Sequence, residues 1–268
     1  MTWKKAYLER LGLLEEKPSL PFLEKITTSQ LNQFPFENIS KLLNHGNGLD
    51  IPTPSELLQA RSTYHTGGTC YTLNTNLFQL LRALKFNCRL LQVGGVHLAI
   101  LVFFADEKYY VDCGATAPNF KPLLLENKRI ERIFEQDQVF ITPTGDQSFE
   151  YKRYLNGVQS GSTWSFRTDK RNTTIEEFRA IINDSFTEDA PFMTILRCHL
   201  YQLDQKRSVS LVNDKLTIRF QEGGAETAKL HSIEEIEKVI SQEFRLPNLP
   251  IRQAVEALKK RGHDIFAH

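Results

Sequence analysis

The hydrophobic period of this chain changes near residue 86, and that change limits the folds open to it. Before it, apolar residues recur every three to four positions; in the stretch that follows, short apolar runs are bounded by turn residues, and the helical spacing returns towards the end. The first pattern lines one face of a helix and the second suits strands. Leu73, Leu77, Phe78, Leu81 and Leu84 predict a buried helix over residues 70–85. Trp3, Ala6, Tyr7, Arg10 and Leu11 predict another, stopped by Gly12. A helix over residues 20–33 carries Leu23, Ile26 and Leu31 and is interrupted at Pro35, and Pro54-Ser55-Glu56 opens a further one. Strands are expected at 89–93, 98–104 and 109–112, with Asp106-Glu107 at a hairpin turn. Further strands are expected at 138–142, 150–155 and 163–167, then a helix over 175–186. Residues 194–203 and 208–219 read as later strands, separated by Asp204-Gln205-Lys206. Ser232 and Glu235 fit a capping box before Ile236, Val239 and Ile240. The last helix has Pro250 near its start and Gly262 after its end. No repeat or low-complexity linker divides the chain, so the expected class is α+β.

Bulk composition excludes several partners. Lys+Arg is 33 and Asp+Glu is 32, a formal net charge of +1, which calls for neither nucleic acid nor an anionic membrane. The aromatic pairs Phe103-Phe104 and Tyr109-Tyr110 lack interleaved basic runs and read as strand core. The longest apolar run, residues 98–104, is too short to span a bilayer. The start of the sequence shows no apolar signal segment, and the four cysteines follow no CxxC or Cys/His metal spacing. A cytoplasmic protein with reduced thiols and no bound metal is the expectation.

Three residues carry the candidate chemistry. Cys70 follows Gly67-Gly68-Thr69 and opens a helix, where the positive end of the helix dipole favours a thiolate and free backbone N–H groups can hold an oxyanion. His97 opens an apolar strand after Gly94-Gly95-Val96 and could take the thiol proton. Asp112 closes the strand Tyr109-Tyr110-Val111 and could orient the imidazole. Taken singly, each has an ordinary alternative: a buried filler cysteine, a satisfied core histidine, an exposed turn or capping aspartate. A hairpin centred on Asp106-Glu107 pairs Leu101 with Asp112 and leaves His97 four residues further on, about 13 Å away. Strand coiling or a bulge must shorten that distance for a triad to form.

Neighbouring segments carry a resemblance. Tyr7-Leu8-Glu9-Arg10-Leu11-Gly12, Pro35-Phe36-Glu37-Asn38-Ile39, Gly67-Gly68-Thr69-Cys70 with Asn74, His97, Val111-Asp112-Cys113-Gly114, Pro122-Leu123 and residues 183–192 together resemble the arylamine N-acetyltransferase family over nearly the whole chain. Pro-Phe-Glu-Asn and the cysteine motif are specific when found in this order and spacing. The resemblance implies a helical bundle over 1–86 carrying the nucleophile, a central β-barrel over 87–190 carrying His97 and Asp112, and a C-terminal αβ lid over 191–268, with a cysteine-protease-like triad core. It implies a ping-pong reaction in which Cys70 takes an acetyl group from acetyl-CoA and passes it to an arylamine, hydrazine or N-hydroxyarylamine. Acetyl-CoA is then a substrate and no cofactor is held permanently. Phe36, Thr69, Gly114 and Ala115 are the implied substrate-binding residues. The motif arginine is Thr66 here and the motif glutamate is Thr72, so both halves of a charge pair are replaced together. Ala115 stands where the family usually has Phe, and the segment between Cys70 and His97 is short. Those departures keep two alternatives open: a related amide synthase or amidase with a larger acyl substrate, and a non-catalytic binding protein. His65, five residues before Cys70, is either an entrance residue or a solvated turn residue.

Overall fold

The structure, a computed structural model, describes residues 2–44, 51–134, 136–170 and 174–267. Local capping rules set the N-terminal helices. Helix α1, Trp3–Leu11, ends where the Gly12 N–H donates to the carbonyls of Leu8 and Glu9. Helix α2, Leu20–Gln33, begins where the Ser19 hydroxyl accepts the Phe22 N–H. A two-residue strand β1, Phe36–Glu37, and a short helix α3, Ile39–Asn44, come next. Both are too short to show a period in sequence. Helix α4, Pro54–Tyr64, starts in a reciprocal capping box between Thr53 and Glu56. Helix α5, Cys70–Ala83, buries Leu73, Leu77 and Leu81 as its spacing predicts, and also Leu80, while Phe78 is only partly buried.

Strands β2 (Asn87–Val93), β3 (His97–Phe104), β4 (Glu107–Val111) and β5 (Leu123–Leu124) form an antiparallel sheet in that order. One face, with Ile100, Val102 and Val111, packs into the core of α1, α2 and α5. The other, with Leu91, Val93, Ala99 and Tyr110, packs on Ile141, Phe149, Tyr151 and Phe166. Both faces are covered, which is why the run from Leu98 to Val102 is apolar without alternation. Those opposing residues belong to a second sheet of β6 (Ile130–Phe134), β7 (Asp137–Gly145), β8 (Ser148–Leu155), β9 (Val158–Gln159) and β10 (Trp164–Arg167). Its order is β10-β8-β7-β6, with β9 on β8. The expected central barrel is corrected here. Among the described residues the two ladders do not close on each other; β2 and β10 touch at one edge, where the Gly94 N–H donates to the Ser165 carbonyl.

The expected helix over 175–186 is only a 3-10 turn, Ile175–Phe178, and a short helix α6, Arg179–Asp184. Strands β11 (Arg197–Gln202), β12 (Arg207–Val212), β13 (Lys215–Phe220) and β14 (Ala225–Lys229) then form a third sheet. Residues 208–219 therefore hold a hairpin, turning at Asn213-Asp214. Strand β1 completes this sheet from the far end of the sequence, with Phe36 opposite His199 and Glu37 opposite Cys198. Helices α7 (Ile233–Gln242) and α8 (Ile251–Lys260) cover it, burying Ile236, Ile240, Ala254 and Leu258 on Leu200, Val209 and Leu211. The capping box expected at Ser232 is half formed. Ser232 accepts the Glu235 N–H, but the Glu235 carboxylate accepts from His231.

Candidate active site

The two motif segments meet in space. The Gly68 carbonyl accepts the Glu37 N–H at 3.1 Å, and the buried Glu37 carboxylate accepts the Gly67 N–H at 3.0 Å. A Cβ at Gly67 would stand 1.9 Å from the Pro35 carbonyl oxygen, so only glycine lets the strands approach this closely. Burial raises the Glu37 carboxyl above its ordinary value, while bonds from Ser40 and Gly67 oppose that shift. Asn38 ties the same segment to the third sheet. Its side chain donates to the carbonyls of Phe192 and Ile195 and accepts the Arg197 N–H. Pro-Phe-Glu-Asn thus anchors both the loop before Cys70 and the last third of the chain.

Cys70 is the first residue of α5, and it is buried. His97 opens β3 and Asp112 directly follows the last residue of its neighbour β4, and the hairpin between them turns one residue earlier than expected. Phe104 pairs with Glu107, so the turn is Ala105-Asp106, with Ala105 in the left-handed region at φ 51°. Ile100 therefore faces Val111, which brings Asp112 level with Ala99, two positions from His97 instead of four. Such diagonal neighbours on one face stand about 7–8 Å apart at the backbone, within reach of an imidazole. The His97 Nε2 meets Asp112 Oδ2 at 2.8 Å.

Asp112 accepts four hydrogen bonds. Oδ2 takes His97 Nε2 and the Tyr110 hydroxyl, both at 2.8 Å. Oδ1 takes Asn74 Nδ2 at 2.8 Å and the Gly114 N–H at 2.9 Å. Burial pushes the Asp112 carboxyl up, but His97, Asn74 and Tyr110 together hold it below the usual carboxylate value. Burial pushes His97 down, yet Asp112 and then Cys70 outweigh it and lift the imidazole to about 10. The imidazolium–carboxylate form is therefore the stable one near neutrality. With Nε2 committed to Asp112, Nδ1 is the nitrogen left for Cys70. Asn74, one turn after Cys70, also donates to the Leu98 carbonyl at 2.6 Å and accepts the Cys113 N–H at 2.9 Å. It pins α5 to β3 and to the segment carrying Asp112.

A cavity of about 480 Å³ opens onto Cys70 and His97. Phe36, Thr69, Gly114 and Ala115, the four residues expected at the substrate, all line it. Other lining residues were not anticipated. Trp164 stacks on the His97 ring at 4.6 Å and 16°, and Tyr151 stacks on Trp164 in turn. Gly94 makes room for this stack: its φ is 59°, and a Cβ there would stand 2.4 Å from Trp164. Ile181, Phe192 and Lys41 line the same space. Tyr110 was legible in principle, being two residues before Asp112 on the same strand face. Trp164 and Lys41 reach the site only through folding and leave no local signal. His65 lies outside the cavity wall, at the end of α4, and accepts the Asn248 N–H. Thr66 and Thr72 line a second, smaller hollow on the other side of the Cys70 loop. Among the described residues no cluster of His, Cys, Asp and Glu could hold a metal ion, and no helix is long and apolar enough to cross a membrane.

Residues 19–252 match the model of the N-acetyltransferase family. No curated protein matches the chain in sequence. The fold is similar to that of an arylamine N-acetyltransferase from Salmonella typhimurium, at 19% identity over 97% of this chain and 99% of that one, with a TM-score of 0.79. It is similar to a cysteine-to-glutamine variant of the Mycobacterium smegmatis N-arylamine acetyltransferase, at 20% identity over 100% of both chains and a TM-score of 0.78. It is also similar to the Mycobacterium marinum arylamine N-acetyltransferase in complex with CoA, at 18% identity over 96% of this chain and 97% of that one, with a TM-score of 0.77.

Proposed function

Because the chain belongs to the N-acetyltransferase family, we propose that it moves an acetyl group from acetyl-CoA through a Cys70 thioester to a small aromatic amine or hydrazine. The observation that carries this reading is the buried His97–Asp112 pair beside Cys70, at the floor of one cavity. His97 Nδ1 takes the proton of Cys70, and Asp112 holds the resulting imidazolium. The thiolate attacks the thioester carbonyl. The N–H groups of the first turn of α5 have no intrahelical acceptor and face the oxyanion that forms there. The C–S bond to CoA breaks, and the departing sulfur takes the proton from His97. The acceptor amine then attacks acetyl-Cys70 and loses a proton to His97. Collapse releases the amide and returns the Cys70–His97 pair to its starting state. The aromatic and aliphatic wall of Phe36, Val96, Trp164, Ile181 and Phe192 suits an aryl acceptor.

Intact-mass spectrometry after mixing with acetyl-CoA tests this. An adduct of about 42 Da, one acetyl group, is expected on Cys70 and is absent in Cys70→Ser. An adduct only with longer acyl thioesters points to an amide-synthase-like enzyme. The lack of any adduct, with slow alkylation of Cys70 at pH 6, leaves a binding protein.

A further inference from the structure

Lys41, on α3, is 8% exposed and lines the cavity that holds Cys70. The groups its ammonium touches, the Ser185 hydroxyl and the Phe186 ring, are neutral. Nζ donates to the Ser185 hydroxyl at 2.9 Å and stands 4.5 Å over the face of Phe186. Ser185 spends its own proton on the Ile182 carbonyl, so it offers Lys41 a lone pair and no charge. Among the described residues no carboxylate is ion-paired with Lys41. Asp184 and Asp189 also line the cavity, but both are exposed to solvent, where water screens them. Burial lowers the lysine to about 8, and the one charge that opposes this comes from Cys70. A buried ammonium without a counter-ion is costly, and proteins neutralise or pair such groups. Lys41 and its partner Ser185 both line the cavity that holds Cys70, and Lys41 also borders the second hollow.

We propose that Lys41 is an anion-recognition residue, which receives a carboxylate carried by a substrate whose reacting atom lies at Cys70. Only the identity of the reacting atom rests on the acyl-transfer reading above; carboxylate binding does not need turnover. The carboxylate can arrive on the acceptor, as in an amine of the aminobenzoate type, or on the acyl group, as in a dicarboxylic acyl thioester. An acetyl donor and an uncharged arylamine leave Lys41 unpaired, so they are the poorer ligands for this pocket.

Two arms test the proposal. Calorimetry compares 4-aminobenzoate with its neutral counterpart 4-aminobenzamide on the unacylated protein. Mass spectrometry compares acylation of Cys70 by succinyl-CoA and by acetyl-CoA. The wild type should favour the carboxylate-bearing partner in one arm by roughly ten- to hundredfold, the range of a charge-assisted hydrogen bond. That arm identifies the source. Lys41→Met should erase the preference and Lys41→Arg should keep most of it, with unfolding midpoints showing that both variants fold. Equal treatment of the ligand pairs in both arms of the wild type, or a preference that survives Lys41→Met, overturns the proposal. Slower alkylation of Cys70 in Lys41→Met with the preference intact overturns it too and assigns the charge to the thiolate. Selective benzoate binding without any Cys70 adduct would leave the anion site standing and remove the acyl-transfer reading alone.

Discussion

Replacing Asp112 by asparagine preserves the shape of a buried side chain and removes its charge. Every acceptor position on Asp112 is used: two donors meet Oδ1 and two meet Oδ2. An asparagine must turn its NH₂ toward one pair. Asn74 Nδ2 and the Gly114 N–H can only donate, so the NH₂ faces the other side. There the Tyr110 hydroxyl can rotate, and His97 can accept at Nε2 if its proton moves to Nδ1. That tautomer points a proton at Cys70 and cannot receive one. All four contacts survive in number, but each loses its charge assistance, worth about 1 kcal/mol per bond, or roughly 4 kcal/mol in total. With the carboxylate gone, burial dominates His97 and drives it down from about 10. Acetyl transfer in Asp112→Asn should fall by roughly 10⁴, the loss seen when a triad carboxylate is neutralised elsewhere. The stability difference has a defined pH range. The carboxyl of Asp112 is lower in the folded state than in the unfolded one, so its contribution is present above about pH 4, the ordinary aspartate value, and is lost as pH falls through its folded value. Urea midpoints of wild type and variant should therefore differ at pH 7 and converge in acid. The reasoning fails if folded Asp112→Asn keeps acetyl transfer within tenfold of wild type, or if alkylation of its Cys70 at pH 6 is unchanged.

Three other perturbations follow from the same geometry. Asn74→Ala removes three buried hydrogen bonds, to Leu98, Asp112 and Cys113, and should cost roughly 3 kcal/mol in urea unfolding; a cost below about 1 kcal/mol would show that α5 is held by its apolar face alone. Gly94→Ala puts a Cβ where Trp164 now lies and strains a left-handed residue, so it should destabilise by about 1–3 kcal/mol and alter Trp fluorescence, unless Trp164 moves off His97 without consequence. His97 stands higher folded than unfolded, so its pair with Asp112 stabilises fully below pH 6.5 and is lost as pH rises through about 10. Wild-type midpoints should then fall more steeply than those of His97→Gln between pH 7 and 10, and parallel curves would exclude the assignment.

What the sequence determined about this protein is what short-range physics controls. The four-residue spacing of Leu73, Leu77 and Leu81 makes α5 helical whatever surrounds it, and the glycines before Cys70 place that residue at its first turn. The helix starts at Pro54 and Ser232 and the stop at Gly12 are likewise matters of a few neighbouring atoms. The two-residue strands β1 and β5 and the six-residue helix α3 lack the length to carry a period and were not legible. Tertiary structure alone decided the site. Whether His97 reaches Asp112 turned on a left-handed Ala105, which moved the hairpin turn by one residue and the aspartate by two positions. Trp164 over His97, and Lys41 buried beside Cys70, come from elements that are distant in sequence and touch only after the sheets and helices pack. Residue spacing records which side of its own element a side chain occupies; it holds no record of which other element will cover that side.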